Sequence, residues 1–225
     1  KRQEKNLGEI IMAVKKFGVG QALRRVEDQR LLTGGGHYMA DFNFDRQAYG
    51  FVLRSPHAHA RFTIGDLGSV RAMKGVRLVM TAADVAHLGP VPCLAPLPND
   101  DGSQNHIGMA PVLAQGEVRH VGDAIAFIVA DTIEQARDAA EAMPVQYEAL
   151  KAVVDMRQAM TKGAPCVWKE QPDNIAFDAS MGDKAKVDKV FAKAAHCVRL
   201  PIENNRLITN YMETRGAIGA YDGTN

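Results

Sequence analysis

Ala124-Ile-Ala-Phe-Ile-Val-Ala130, then Asp131-Thr-Ile-Glu-Gln135 and, nine residues on, Pro144-Val-Gln-Tyr-Glu148, is the stretch on which the fold turns. The run 124–130 carries no charge and has the length of a strand covered on both faces. Thr132 with Gln135 three residues on is a capping pair, so a helix is expected from Ile133 to about Ala142. Ile133, Ala136, Ala140 and Met143 follow at helical spacing. Pro144 lacks the amide hydrogen that a continuing helix needs, and Val145-Gln-Tyr-Glu148 alternates as a second strand. A strand–helix–strand unit in a chain with other short strands gives an α+β reading.

Upstream, Gln47-Ala-Tyr-Gly-Phe-Val-Leu-Arg54 has the aromatic and β-branched content of a strand, and Ala60-Arg-Phe-Thr-Ile64 alternates as a second one. Asp66 is placed to cap a short helix over Ser69–Met73, which Gly75 stops before a strand Val76-Arg-Leu-Val-Met80. Thr81-Ala-Ala-Asp84 is a capping-box variant opening one or two turns that end by Gly89. From Gly89 to Pro111 five prolines and Asn99-Asp-Asp-Gly-Ser103 predict a long surface excursion. Downstream, a short helix near Met156–Met160 and the boundary Gly163-Ala-Pro lead into irregular sequence. Asp183 caps an expected helix Lys186–Ala195 with the apolar stripe Val187, Val190, Phe191 and Ala194. From His196 to Asn225 the alternation of Val198, Leu200 and Ile202 predicts two or three strands whose apolar faces need another layer. Residues 1–17 form an expected loose extension, with Met12 a candidate natural start.

With 225 residues, 46% hydrophobic and 24% charged, the chain has the apolar content of a folded protein. Its formal charge of +1 leaves no bulk field for nucleic acid or anionic lipid. No run of about 18 apolar residues is present and the N-terminus is charged, so no membrane span or export signal is expected and the cytoplasm is the expected location. Cys93, Cys166 and Cys197 contain no C-x-x-C pair, and three thiolates cannot hold an iron–sulfur cluster that needs four.

Ser55-Pro-His57-Ala-His59 is the sharpest local constellation, since histidines at i and i+2 of an extended segment project to one side. A zinc site needs a third ligand, and His37, His87, His106, His120 and His196 are scattered, so structural histidines beside a proline turn are the favoured reading. Gly34-Gly-Gly36 lacks the strand before and helix behind that a phosphate loop requires, and Gly18 and Gly20 lack the dinucleotide spacing; all read as turn glycines. Asp123 in Val121-Gly-Asp is placed to accept backbone donors at a turn. Asp41, Glu117, Asp123, Glu203 and Glu213 are eligible acids or bases, and Ser55 and the cysteines eligible nucleophiles, but no paired spacing names a reaction. For Glu213, in Met212-Glu-Thr-Arg215, a structural ion pair is the favoured role.

Taken in order, several segments resemble the molybdenum hydroxylase family, which includes xanthine dehydrogenase, aldehyde oxidase and aerobic carbon monoxide dehydrogenase. They are Gly18-Val-Gly-Gln, Arg24-Arg-Val-Glu-Asp, Leu31-Leu-Thr-Gly, Gly36-His-Tyr-Met-Ala-Asp41 and Arg54-Ser-Pro-His-Ala-His-Ala-Arg61. The series continues with Val121-Gly-Asp through Ala130, Ala139 through Glu148, Asn204-Asn-Arg-Leu and Met212-Glu-Thr-Arg-Gly216. The resemblance is strongest to the carbon monoxide dehydrogenase-like bacterial branch and lies at the start of the large subunit; Thr214 stands where the family usually has proline.

The resemblance implies an α/β hammerhead domain with a mixed sheet over about 30–150, after an N-terminal extension at 1–29. It implies a linker at 151–164 and the beginning of the first molybdopterin-binding domain at 165–225. It also implies a molybdopterin-type cofactor held by sequence downstream, with FAD on a medium subunit and 2Fe-2S clusters on a small subunit. No catalytic, cofactor-binding or metal residue is then expected in this chain, whose role would be scaffold and assembly, inactive alone. The rivals are a self-sufficient hammerhead-type binding module and a small metal enzyme using His57 and His59.

Overall fold

The computed structural model describes residues 24–94, 97–108, 110–205 and 207–223. They fall into two compact units, Arg46–Glu203 and the described residues of Lys1–Asp45 with Asn204–Asn225.

The larger unit is built on β7 (Ala124–Ala130), its predicted central strand. Ahead of it come β1 (Tyr49–Arg54), β2 (Ala60–Ile64), a one-turn helix α2 (Gly68–Arg71), β3 (Val76–Met80), the two-residue strands β4 (Pro90–Val91) and β5 (Ala110–Pro111), and β6 (Glu117–Val118). Behind it come α3 (Ile133–Glu141), β8 (Val145–Ala149), α4 (Met156–Ala159) and α5 (Lys184–Lys193). The strands make one sheet in the order β1-β7-β3, a second in the order β6-β2-β8, and the pair β4-β5. Every pairing between these strands is antiparallel. The strand–helix–strand unit therefore does not close on one sheet: α3 carries the chain from the first sheet to the second.

β7 is uncharged because both of its faces are buried. Ala126, Ile128 and Ala130 pack with Val70, Val79 and the α3 residues Ala136, Ala139 and Ala140. Ile125, on the opposite side, packs with Ala60, Phe62, Ala114 and Val118. A bulge between Leu53 and Arg54 leaves Ile125 unmatched on β1, since Leu53 pairs Ala126 and Arg54 pairs Ala124. At the other edge Val76 pairs Ala130 and Leu78 pairs Val129, so Arg77 is the extra residue, and its guanidinium pairs with Asp131. Gly50 takes no side chain because the Phe127 ring fills that place: a Cβ there would lie 2.5 Å from the ring.

The α3 cap forms as the sequence predicts: Gln135 N–H donates to Thr132 Oγ1 at 3.2 Å and Thr132 N–H donates to Gln135 Oε1 at 3.1 Å. Gly75 sits beneath that box at φ +82°, with its carbonyl accepting from Asp131 N–H at 2.9 Å. A Cβ on Gly75 would lie 2.2 Å from Gln135 Oε1. One local expectation differs, and the one at Thr81 is met in part, with the turns ending at Gly89 as expected but the Thr81 hydroxyl donating where a cap would accept. Asp66 makes no capping bond, and α2 begins at Gly68 with Leu67 at its N-cap. At Thr81 the amide and hydroxyl both donate to the Asp84 carboxylate, at 2.7 and 3.0 Å. The Thr81 amide bond is the main reason Asp84 stays below the ordinary carboxylate range.

Asp183 caps α5 by accepting from Lys186 N–H at 2.9 Å, but the stripe Val187, Val190 and Phe191 is exposed. The strands expected after His196 are not formed among the described residues. Alternation supplies an apolar face, but a strand exists only where a neighbour takes its backbone hydrogen bonds. Here Val198, Leu200 and Ile202 are 92%, 73% and 82% exposed.

In the smaller unit, α1 (Asp28–Leu32) ends in a turn where Gly34 adopts φ +79°. A 3-10 turn follows at Met39–Asp41, with Asp41 Oδ2 accepting from Tyr38 N–H at 2.7 Å.

Candidate functional site

Five of the residues singled out in the sequence, Ser55, His57, His59, Glu117 and Asp123, lie where the loops after β1 and β6 and the segment following β8 come together. The Ser55 hydroxyl is buried and closes the proline turn on itself, donating to the His57 carbonyl and accepting from the His57 amide, both at 3.0 Å. The Ser55 amide donates to the Asp123 carbonyl and the Gly122 amide to the Ser55 carbonyl, each at 2.8 Å, so the turn is stitched to Val121-Gly-Asp123. Gly122 has φ +90°, and Asp123 Oδ2 accepts from Arg119 N–H at 3.1 Å, the turn role expected for it. With its hydroxyl paired inside the turn and its backbone groups paired to Gly122 and Asp123, Ser55 has a structural role there.

The two histidines part company. His57 lies against the Tyr147 ring, 4.7 Å between centroids. Burial pushes the Tyr147 phenol above its ordinary range. His59 points the other way, its Nδ1 2.9 Å from the Lys151 carbonyl and its Nε2 3.2 Å from Glu117 Oε1. Glu117 Oε1 also takes Arg119 at 3.3 Å. Arg119 Nε–H donates to the Val167 carbonyl at 3.3 Å, and the guanidinium lies 4.1 Å over the Trp168 ring. Sequence reasoning named His59 and Glu117 but missed Arg119 and Trp168. The available signal was Trp168 itself, the single tryptophan, in a stretch otherwise without periodicity.

Two clefts flank this network. One of about 580 Å³ lies between Asn99–His106 and Gln171–Asp178, and its lining includes Asp100, Asp101, Asp173 and Asp178 without a lysine or arginine. Hydrogen bonds hold three of these carboxylates below their ordinary range: Asp100 from Ser180, Asp101 from Ser103 and Asp173 chiefly from the Ile175 amide. The other cleft, about 340 Å³, is lined by Trp168, Arg119, Gln115 and apolar residues of the β4-β5 region. Neither suits a molybdopterin: the first opposes its phosphate with carboxylates, and the guanidinium in the second is already engaged.

Of the remaining histidines, His106 and His120 border the network. His37 packs near Phe42, His106 stands edge-on to Trp168, His120 is 3.7 Å from Asp123, and His87 and His196 are exposed. Among the described residues no group of three His, Cys, Asp or Glu side chains is placed to share a metal ion. All three cysteines are free thiols. Glu203 pairs with Arg157 at 3.6 Å. Glu213 accepts from Met39 N–H at 2.7 Å and, among the described residues, makes no ion pair with Arg215; the end of the Met39 side chain lies where a Cβ on Gly216 would stand. Gly18 and Gly20 lie outside the described residues. No helix among the described residues is long and apolar enough to cross a membrane.

Residues 33–151 match the family described as aldehyde oxidase and xanthine dehydrogenase, a/b hammerhead domain. The chain is 35% identical over 208 residues to the nicotine 6-hydroxylase large subunit of Paenarthrobacter nicotinovorans, covering 92% of this chain and 24% of that protein. It is 32% identical over 222 residues to the carbon monoxide dehydrogenase large chain of Afipia carboxidovorans, covering 93% and 26%. A crystal structure of a Cu,Mo-CO dehydrogenase superposes on 80% of this chain and 23% of that one, with a TM-score of 0.60 and 33% identity. The chain thus spans about a quarter of the length of these relatives.

Proposed function

Because the chain belongs to the aldehyde oxidase and xanthine dehydrogenase family, whose hammerhead domain it carries, we propose that it is the N-terminal portion of the large subunit of a molybdenum-containing hydroxylase or dehydrogenase. In this reading residues 30–150 are the hammerhead, 151–164 the linker and 165–225 the opening of the first molybdopterin-binding domain, after an extension at 1–29. Its own work is scaffolding and assembly, and by itself it is inactive. The partners are the remainder of the large subunit, an FAD-binding medium subunit and an iron–sulfur small subunit in the cytoplasm.

One observation carries the proposal: the chain aligns over nearly its whole length with about a quarter of relatives named as large subunits. The exposed stripe of α5 and the unpaired alternating segment at 198–202 support it, since both present apolar surface that a further layer would cover. Bound in the remainder, the molybdopterin-type cofactor would supply the redox chemistry, while the residues described here orient the chain that leads to it.

Coexpression with the remainder of the large subunit and the two other subunits tests the reading. Molybdenum is expected to co-purify with the assembled complex and not with the chain alone. Turnover by the chain alone would overturn it, and so would failure to enter any complex.

A further inference from the structure

We propose that residues 167–180 are a strap that gives shape to the proline-rich excursion of the hammerhead, the two segments opening and closing as one unit apart from the sheet core. Residues 98–108 and 167–180 form no helix or strand among the described residues. Each holds within itself an isolated bridge, Pro98 to Gln104 in the excursion and Trp168 to Gln171 in the strap. Backbone donors without a ladder need acceptors elsewhere, and here each segment supplies them to the other. The Asp100 amide donates to the Asp178 carbonyl at 2.9 Å and the His106 amide to the Ala176 carbonyl at 2.7 Å. In return the Asp178 amide donates to Asn99 Oδ1 at 2.9 Å and the Ser180 amide to Asp100 Oδ1 at 2.8 Å.

Asn99 is the pivot of this reciprocal set. Its Oδ1 serves the strap, while its Nδ2 donates to Ser103 Oγ at 2.8 Å and to the Gln104 carbonyl at 3.2 Å. One carboxamide thus fixes the turn of the excursion and fastens it to the strap. At the other end Trp168 closes against the excursion: a Cβ on Gly108 would lie 3.1 Å from the ring, and His106 stands edge-on to it. The strap is anchored behind that ring. Asn174, at φ +59°, accepts from Val167 N–H through Oδ1 at 2.9 Å and donates through Nδ2 to the Ala159 and Pro165 carbonyls at 2.8 and 3.0 Å. Arg119, just after β6, holds the Val167 carbonyl at 3.3 Å.

The Asn99–Asp178 and Asp100–Ser180 bonds lie at the surface, and none of the residues that join the two segments belongs to either buried cluster. Such contacts open at lower free energy than a packed strand. The cleft between Asn99–His106 and Gln171–Asp178 exists only while they hold. The strap lies outside residues 33–151, which match the family, so the excursion takes its form from chain that follows the domain. This holds whether or not residues 165–225 open a further domain.

Residue-resolved amide exchange of the chain in graded, sub-denaturing denaturant tests the proposal. Asp100, His106, Asp178 and Ser180 are expected to share one opening with one denaturant dependence, well before Ile128 of β7 exchanges. Two substitutions then probe opposite ends. Asn99→Ala removes the three carboxamide bonds and should speed exchange about ten-fold at Val167, whose amide bonds Asn174 instead. Trp168→Ala should do the same at Asp100 and Ser180, leaving Ile128 unchanged. Acceleration confined to the substituted end would overturn the proposal, and so would separate openings of excursion and strap in the unaltered chain. Equal acceleration at Ile128 in either variant would also overturn it, since strap and core would then be a single unit.

Discussion

Tyr147 stands between two aromatic neighbours, with ring centroids 4.7 Å from His57 and 6.4 Å from Phe62. Burial raises its phenol above the ordinary value of 10.0, because the phenolate would have to form away from water. A folded-state value above the unfolded one means that Tyr147 favours the fold at every pH below 10.0 and that this contribution fades as pH climbs through the raised value. Alkaline titration by tyrosinate absorbance should therefore contain a late component that Tyr147→Phe removes. If the variant leaves the curve unchanged, the ring is better hydrated than its surroundings indicate. At this scale the sequence was partly legible. Asp123 and Gly122 were readable because a turn chemistry is local. The Arg119–Trp168 stack was not, since those residues lie 49 positions apart and Trp168 stands in a stretch after β8 without periodicity to place it.

Among the elements, α3 and β7 carry the fold, and they do so by different physics. The α3 cap is a surface device with two reciprocal hydrogen bonds, so Thr132→Ala should lower stability by about 1 kcal/mol. Ile128, with no exposed surface, sits between β1 and β3, and Ile128→Ala should cost about 2–5 kcal/mol from lost burial plus the cavity left behind. Denaturant midpoints of the two variants check the ordering; equal losses would mean that the β7 core relaxes freely around a missing side chain. Both elements were legible because the run 124–130 and the Thr132–Gln135 pair fix them locally. The strands after His196 were misread for the complementary reason. Val198, Leu200 and Ile202 have the period of a strand, but pairing depends on a partner that the residues described here do not provide.

Over the whole molecule, stability is concentrated where β1, β7, β3 and α3 share one buried cluster, and it thins toward the exposed residues beyond α5. Amide exchange should be slowest through β7 and fast from His196 to Asn205, as local opening follows the distribution of buried apolar contacts. Comparable protection in the two regions would contradict this picture. The division of labour has a consequence for how such a chain tolerates change in length. β7 serves two interiors at once, Ala126, Ile128 and Ala130 on one side and Ile125 on the other. Deleting a single residue from that strand would exchange the contents of both interiors in one step. Substitution there is survivable; a shift of frame is not. Changes of length should be better tolerated in the proline-rich excursion between Gly89 and Pro111, none of whose described residues belongs to either buried cluster.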